Sequence, residues 1–192
     1  FSIWASRFGP VEERIGDPRR LGWHCFIRAT QYVFATEPRP AAEWLAEARR
    51  WFTEIDDEHG LATVDFQQGV VTALLGDLTA ADELLRRAVA TCRRTGNHMT
   101  LMAALARLGE VAQRDGRLDD AYAAWQELHE LATEAAVPAL VSLAAAGMAL
   151  IKLDQDEPEA AAALSEAAMA ASGEGFSPLV EGYALAAWGS TQ

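Results

Sequence analysis

The side chains best suited to metal binding or nucleophilic chemistry are His24, His59, His98, His129, Cys25 and Cys92. A metal centre needs ligands at short, defined spacings. None of these histidines has a second histidine or cysteine so placed, and no metal site is expected. His24 and Cys25 adjoin, but successive helix residues point about 100° apart, which keeps the imidazole from serving as base to the thiol. Carboxylates cluster at Asp56-Asp57-Glu58, at Asp119-Asp120, and at Asp154, Asp156, Glu157 and Glu159. All three clusters fall where helices are expected to start, so they read as caps and solvation that complement the helix dipole and not as acid–base pairs. Gly69 and Gly76 lack the Gly-Lys-Ser/Thr tail of a phosphate-binding loop. The chain therefore reads as a non-enzyme, with no catalytic residue, cofactor or metal.

Composition narrows the partners. The chain has 192 residues, enough for one folded domain. Sixteen lysines and arginines against 28 aspartates and glutamates leave a net charge of −12. That field repels nucleic-acid phosphates, so no direct nucleic-acid contact is expected. A hydrophobic content of 51% separates the chain from disordered acidic tails. An apolar run of about 18 residues, long enough for a membrane span, is missing, and no basic-then-apolar leader is seen. Two cysteines fit a reducing, cytoplasmic setting, and no membrane partner is expected. The repeat pattern is already under way near Phe1, so the sequence is expected to be a fragment of a longer chain. Arginine outnumbers lysine fifteen to one, and the 39 alanines favour helix.

These residues are positioned by an internal repeat of 40. Gly76-Asp-Leu-Thr-Ala-Ala81 aligns with Gly116-Arg-Leu-Asp-Asp-Ala121, and the same frame recurs from Thr36 to Ala41 and, 39 residues beyond Ala121, at Ala160. Four residues after the small position stand Leu45, Leu85, Trp125 and Leu164, and three further on Ala48, Ala88, Leu128 and Ala167. Spacings of four and three place them on one helical stripe. A second break recurs at Gly16-Asp17, Asp56-Asp57, Gly96-Asn97 and Ala136-Val137. Asp17, Asp57 and Asn97 are candidate N-caps, and Pro18 suits a first helical position. The pattern predicts antiparallel pairs: 18–35 with 40–55, 58–75 with 79–94, 98–115 with 119–134, and 138–153 with 158–172. Segments 4–15 and 178–190 read as halves of further pairs.

Leu105-x-x-Leu108-Gly109-x-x-Ala112, followed by Gly116, Ala121, Trp125 and Leu128, resembles the tetratricopeptide repeat family. The second unit keeps Gly69, Gly76, Ala81, Leu85 and Ala88 but carries Asp65, Gln68 and Thr72 where that family prefers apolar residues. In the first unit Ala29 and Tyr32 fit while Arg28 replaces a leucine-like residue. The fourth places Gly147 in the small position if one residue is inserted near Asp154. Units of this length are similar to those of kinesin light chains and of the C-terminal arms of LuxR-type large ATP-binding or antibiotic-pathway bacterial regulators. The resemblance implies an all-α, right-handed superhelical solenoid of helix hairpins. It divides residues 1–192, one domain, into a truncated end at 1–16, repeats at 17–56, 57–96, 97–136 and 137–175, and a further first helix at 176–192.

In that family the first helix of each pair lines the concave side. Taking Ala29, Gly69 and Gly109 as register marks, the inward candidates are Trp23, Phe26 and Thr30, then Phe66 and Val70, then Glu110, Gln113 and Arg114, joined by Lys152. Arg114 and Lys152 suit a carboxylate or acidic peptide; alternatively they pair with Glu110 and Asp154 on a solvated face. Trp125 reads as core, Trp44 and Trp51 as packing between units, Trp4 and Trp188 as buried against neighbouring repeats, and Trp23 as a ligand contact. The resulting expectation is a protein-interaction or scaffolding module of a cytoplasmic bacterial transcriptional or signalling regulator. Its partner would be a protein, a peptide or neighbouring domains of the same chain. The alternative is a sensing arm whose groove takes a peptide or small-molecule effector.

Overall fold

The structure, a computed structural model, describes residues 16–172. Among these residues there is no strand. Eight helices follow one another: α1 Pro18–Phe34, α2 Pro38–Glu54, α3 Glu58–Leu74, α4 Leu78–Thr95, α5 His98–Arg114, α6 Leu118–Glu134, α7 Pro138–Asp154 and α8 Pro158–Ser172. The first helices of the pairs start where the breaks predict. The expected segments 4–15 and 178–190, with Trp4 and Trp188, lie outside the described residues.

The turns between these helices share one left-handed position. Gly16, Thr36, Asp56, Gly76, Gly96, Gly116, Ala136 and Asp156 take positive φ, at intervals of 20 residues. At Gly76 the N–H donates to the Ala73 carbonyl and the N–H of Asp77 to that of Thr72, both at 3.2 Å. These two bonds absorb carbonyls that the helix end would leave unpaired. The same pair of bonds closes the turns at Thr36, Asp56, Gly116, Ala136 and Asp156. Asp56 and Asp156 are thus not caps, as their clusters suggested, but residues in the left-handed region, which aspartate tolerates better than most side chains. The caps are their neighbours in the turn. Asp17 accepts from the N–H of Arg19, Asp57 from Gly60 and Asp77 from Ala80, each at 3.0 Å, and Asn97 accepts from Thr100 at 3.2 Å.

The second helices bury one stripe in steps of 40: Ala41, Ala81, Ala121 and Ala161; Leu45, Leu85, Trp125 and Ser165; Ala48, Ala88, Leu128 and Ala168. This corrects the last repeat by one residue. Ala160 and Leu164 are only half-buried and Ala167 is exposed, because no residue is inserted near Asp154. Ala149, not Gly147, occupies the place of Ala29, Gly69 and Gly109. Ser165 fits the buried stripe because its hydroxyl donates to the Ala161 carbonyl at 2.8 Å.

The helices gather into two compact units, one ending at Ala104 and the other beginning at Leu105. In the first, Cys25, Ala29, Leu45, Phe52, Val64 and Val71 form a core. Phe52 reaches this core because Gly22 and Gly60 face it without side chains; a Cβ on either would lie 2.7 or 2.5 Å from its ring. In the second unit Trp125, fully buried as expected, sits against Gly109 and Gly147, where added Cβ atoms would approach its ring to 2.7 and 2.6 Å. Gly147 therefore admits the indole and does not fill the small position of its own repeat. Further along, Ala145, Ala146, Ala149 and Ala168 pack as a small-residue core. Ser142 there donates to the Ala168 carbonyl at 2.8 Å, which ties α7 to α8.

Candidate functional site

In the first unit α1 touches α3, and five of the sequence candidates lie on these two helices. Trp23, Phe26, Thr30, Phe66 and Val70 are all half-buried. Trp23 meets Phe26 edge-to-face at 5.6 Å and the core residue Phe52 at 5.2 Å, so much of its indole serves the hairpin. The Thr30 hydroxyl donates to its own helix, at the Phe26 carbonyl, 3.0 Å away. Four large apolar residues were missed by the sequence reading: Ile27 is 44% exposed, Phe34 85%, and Leu74 and Leu75 54% each. Phe34 and Leu74 could have been found, since they stand five residues beyond the register marks Ala29 and Gly69 and share one repeat position.

The remaining candidates lie in the second unit, where most charges are already satisfied. Glu110 accepts from Arg107 at 2.7 Å, and Gln113 donates to Asp154 at 3.0 Å, which bridges α5 and α7. Lys152 donates to Gln155 at 3.0 Å and to Glu157 at 3.1 Å, with its ammonium 5.1 Å from the Tyr122 ring centroid. The salt bridges of Glu110 and Lys152 thus run to Arg107 and Glu157. The alternative pairs expected from the sequence, with Glu110 and Asp154 as partners of Arg114 and Lys152, are replaced by nearer side chains on the same helices or turns. Arg114 ends α5 and is exposed.

A buried polar cluster accounts for two of the departures in the second repeat. Asp65, 4% exposed, accepts from Arg87 through Nε at 2.6 Å and Nη2 at 2.7 Å. Arg49 also bonds Asp65 and donates to Gln68 at 2.7 Å. Asp65 and Gln68 replace apolar residues because α2 and α4 each send an arginine to α3. The hydrogen bond to Asp65 outweighs burial and raises the Arg87 pKa. Both cysteines are buried free thiols. Burial, and then the charge of Asp65, push the Cys92 thiol up to about 11.

His24, Trp44 and Trp51 have close ring or cation neighbours. His24 stands edge-to-face with Trp44 at 6.3 Å, and Arg28 lies 5.2 Å from that ring. Both of these neighbours of Trp44 come from α1, and Trp44 and Trp51 pack against the core that also holds Val64 and Val71 of α3. Arg50 covers Trp51 at 4.3 Å. Among the described residues no group of three His, Cys, Asp or Glu side chains could hold a metal ion, and no helix is long and apolar enough to cross a membrane.

No protein-family model matches the chain, and no curated protein matches it. Solved structures do. BtubC (BKLC) from P. vanneervenii superposes with a TM-score of 0.83 at 17% identity, covering 98% of this chain and 80% of that one. A signal transduction ATPase with numerous domains and a tetratricopeptide repeat sensor, from Pyrococcus horikoshii, gives 0.76 at 14% identity, over 91% of this chain and 27% of that one. The Podosopora anserina putative kinesin light chain nearly identical TPR-like repeats give 0.70 at 17% identity, over 90% and 88%. With eight described helices in hairpins and these likenesses, the chain has the all-α fold of tetratricopeptide-like helical-repeat solenoids.

Proposed function

We propose that this chain is a non-catalytic interaction module that holds a protein or peptide partner on the inner helices of its repeats. The observation that carries this reading is the apolar surface left open on α1 and α3, where Phe34 is 85% exposed and Leu74 54%. Exposed apolar side chains in one place are a common mark of a binding surface. The proposed lining is Trp23, Phe26, Thr30, Phe66 and Val70 in the first unit. Glu110, Gln113, Arg114 and Lys152 are proposed as a polar lining in the second. Repeats at 17–56, 57–96, 97–136 and 137–175 are the proposed subdivision of the chain. A cytoplasmic bacterial regulator is the proposed parent, and the likeness to an ATPase named for its tetratricopeptide sensor supports a signalling context.

A second reading, an effector-sensing arm, is favoured by that same sensor name. The two are separated by using the purified chain as bait. A protein partner should be retained by wild type and lost in Phe34→Ser with Leu74→Ser, with unchanged circular dichroism and melting temperature. Retention that survives these changes and fails when α2 and α4 are altered on their exposed sides would overturn the inner-face reading. A saturable thermal shift with small metabolites, lost in Trp23→Ala or Arg114→Ala, would favour the sensor.

A further inference from the structure

The four hairpins are not held alike. The second helices of the first three bury large side chains completely: Leu45 and Phe52 on α2, Leu85 on α4, Trp125 and Leu128 on α6. Among the described residues of α8, those buried are Ala161, Ser165 and Ala168. Of its two larger apolar side chains, Leu164 packs half-buried at the edge of the core and Met169 is 39% exposed. Hydrophobic stabilisation grows with the apolar area taken out of water, so alanine and serine supply far less of it than leucine, phenylalanine or tryptophan.

What fastens α8 to α7 is small. Ala168 packs with Ala145, Ala146 and Ala149 of α7, and the buried Ser142 hydroxyl donates to the Ala168 carbonyl at 2.8 Å. The Ser165 hydroxyl donates within α8, to the Ala161 carbonyl, and so adds no bond across the hairpin. The joint differs as well. Where Asp57 and Asp77 cap the helices that follow them, Glu157 gives its carboxylate to Lys152 of α7, at 3.1 and 3.2 Å. α8 has 15 residues, and a lone helix of about that length is marginal in water. Once off α7, its amides open to solvent.

We propose that α8 is a detachable strap, which leaves α7 and uncovers Ser142, Ala145 and Ala149 while the other helices stay folded. Local opening of this kind belongs to regions that bury few apolar contacts. The second unit then has a closed and an open form, and anything that binds one form better than the other sets the balance.

Hydrogen exchange of the full chain, followed helix by helix by mass spectrometry in native buffer, tests this. After correction for intrinsic rates, α8 amides should exchange at least about tenfold faster than those of α2, α4 and α6, and low urea should change them less. Ser142→Ala should speed exchange in α8 and leave α2 and α4 unchanged. Ala149→Gly with Ser165→Leu, which copies the pairing of Gly69 with Leu85, should slow α8 at least about tenfold. Circular dichroism establishes that this double variant is folded; if it is not, Ser142→Ala decides alone. Protection of α8 equal to that of α2 and α4 would overturn the strap. So would an α8 rate indifferent to Ser142→Ala, or unslowed in a folded double variant. Exchange of α1, at the other end of the described helices, as fast as that of α8 would also overturn it, since fraying of both ends would then account for the result.

Discussion

Asp65 on α3 receives two hydrogen bonds from the single guanidinium of Arg87 on α4, at 2.6 and 2.7 Å, while its own side chain is 6% exposed. A fork of this kind is among the stronger protein hydrogen-bond arrangements. Its worth is moderated because the Arg87 side chain is 56% exposed and water screens it. Arg49 reaches the same carboxylate from α2, so one buried charge ties three helices together.

Asp65→Asn should lower stability by about 1–3 kcal/mol, below the range for a fully buried pair, because both arginines retain access to water. The urea midpoint measures it. Replacing Asp65, Arg49 and Arg87 together by leucine or methionine should recover most of the loss, since no buried charge is then left without a partner. Failure of that triple variant to recover would show that the cluster does more than satisfy itself.

Gly109→Ala and Gly147→Ala should each cost about 1–3 kcal/mol, as overpacking does, because the new methyl meets the Trp125 ring. Either should be partly rescued by shrinking Trp125 to leucine, although Trp125→Ala alone should cost about 3–5 kcal/mol through the cavity it leaves. Thermal melts of the single and double variants give the coupling.

Ala136→Gly should raise stability by about 0.5–1 kcal/mol, and Gly116→Ala should lower it by a similar amount. Ala136 has φ 52° and Gly116 φ 77°, a region in which a Cβ crowds the following carbonyl. No added methyl at Gly116 would meet a neighbour, so the change reads backbone conformation alone.

The Cys92 thiol, pushed up to about 11 by burial and by Asp65, gives a pH test. Its proton is held more firmly in the folded chain than in the unfolded one, where thiols lose it near about 8.5. The contribution to stability is therefore complete below the unfolded value and is lost as pH rises toward the folded one. Urea midpoints should fall between pH 9 and 11, and Cys92→Ala should flatten that fall. At neutral pH the thiol should resist alkylation until the chain unfolds.

Much of this fold was legible because the breaks carry glycine and proline. Gly76, Gly96 and Gly116 mark turns, and Pro18 a helix start, so the paired helices and their order follow from the sequence. The last repeat slipped by one residue because its turn carries Asp156 and its buried stripe carries Ser165, while Leu164 beside it has the more apolar side chain. Asp65 was visible as an exception, but its partners Arg49 and Arg87 lie 16 and 22 residues away, and no local spacing announces them. Of the proposed surface, the register marks nominated Phe26 and Phe66 but passed over Phe34 and Leu74, although these two share one repeat position at the helix ends.

Asp57 and Asp77 each do two jobs: the main-chain N–H fastens the last turn of one helix, and the carboxylate fastens the first turn of the next. A backbone linked in this way does not loosen at one place only. When such a joint opens, the stretches on both sides fray together, and melting should travel along the chain in blocks of neighbouring helices instead of staying with one.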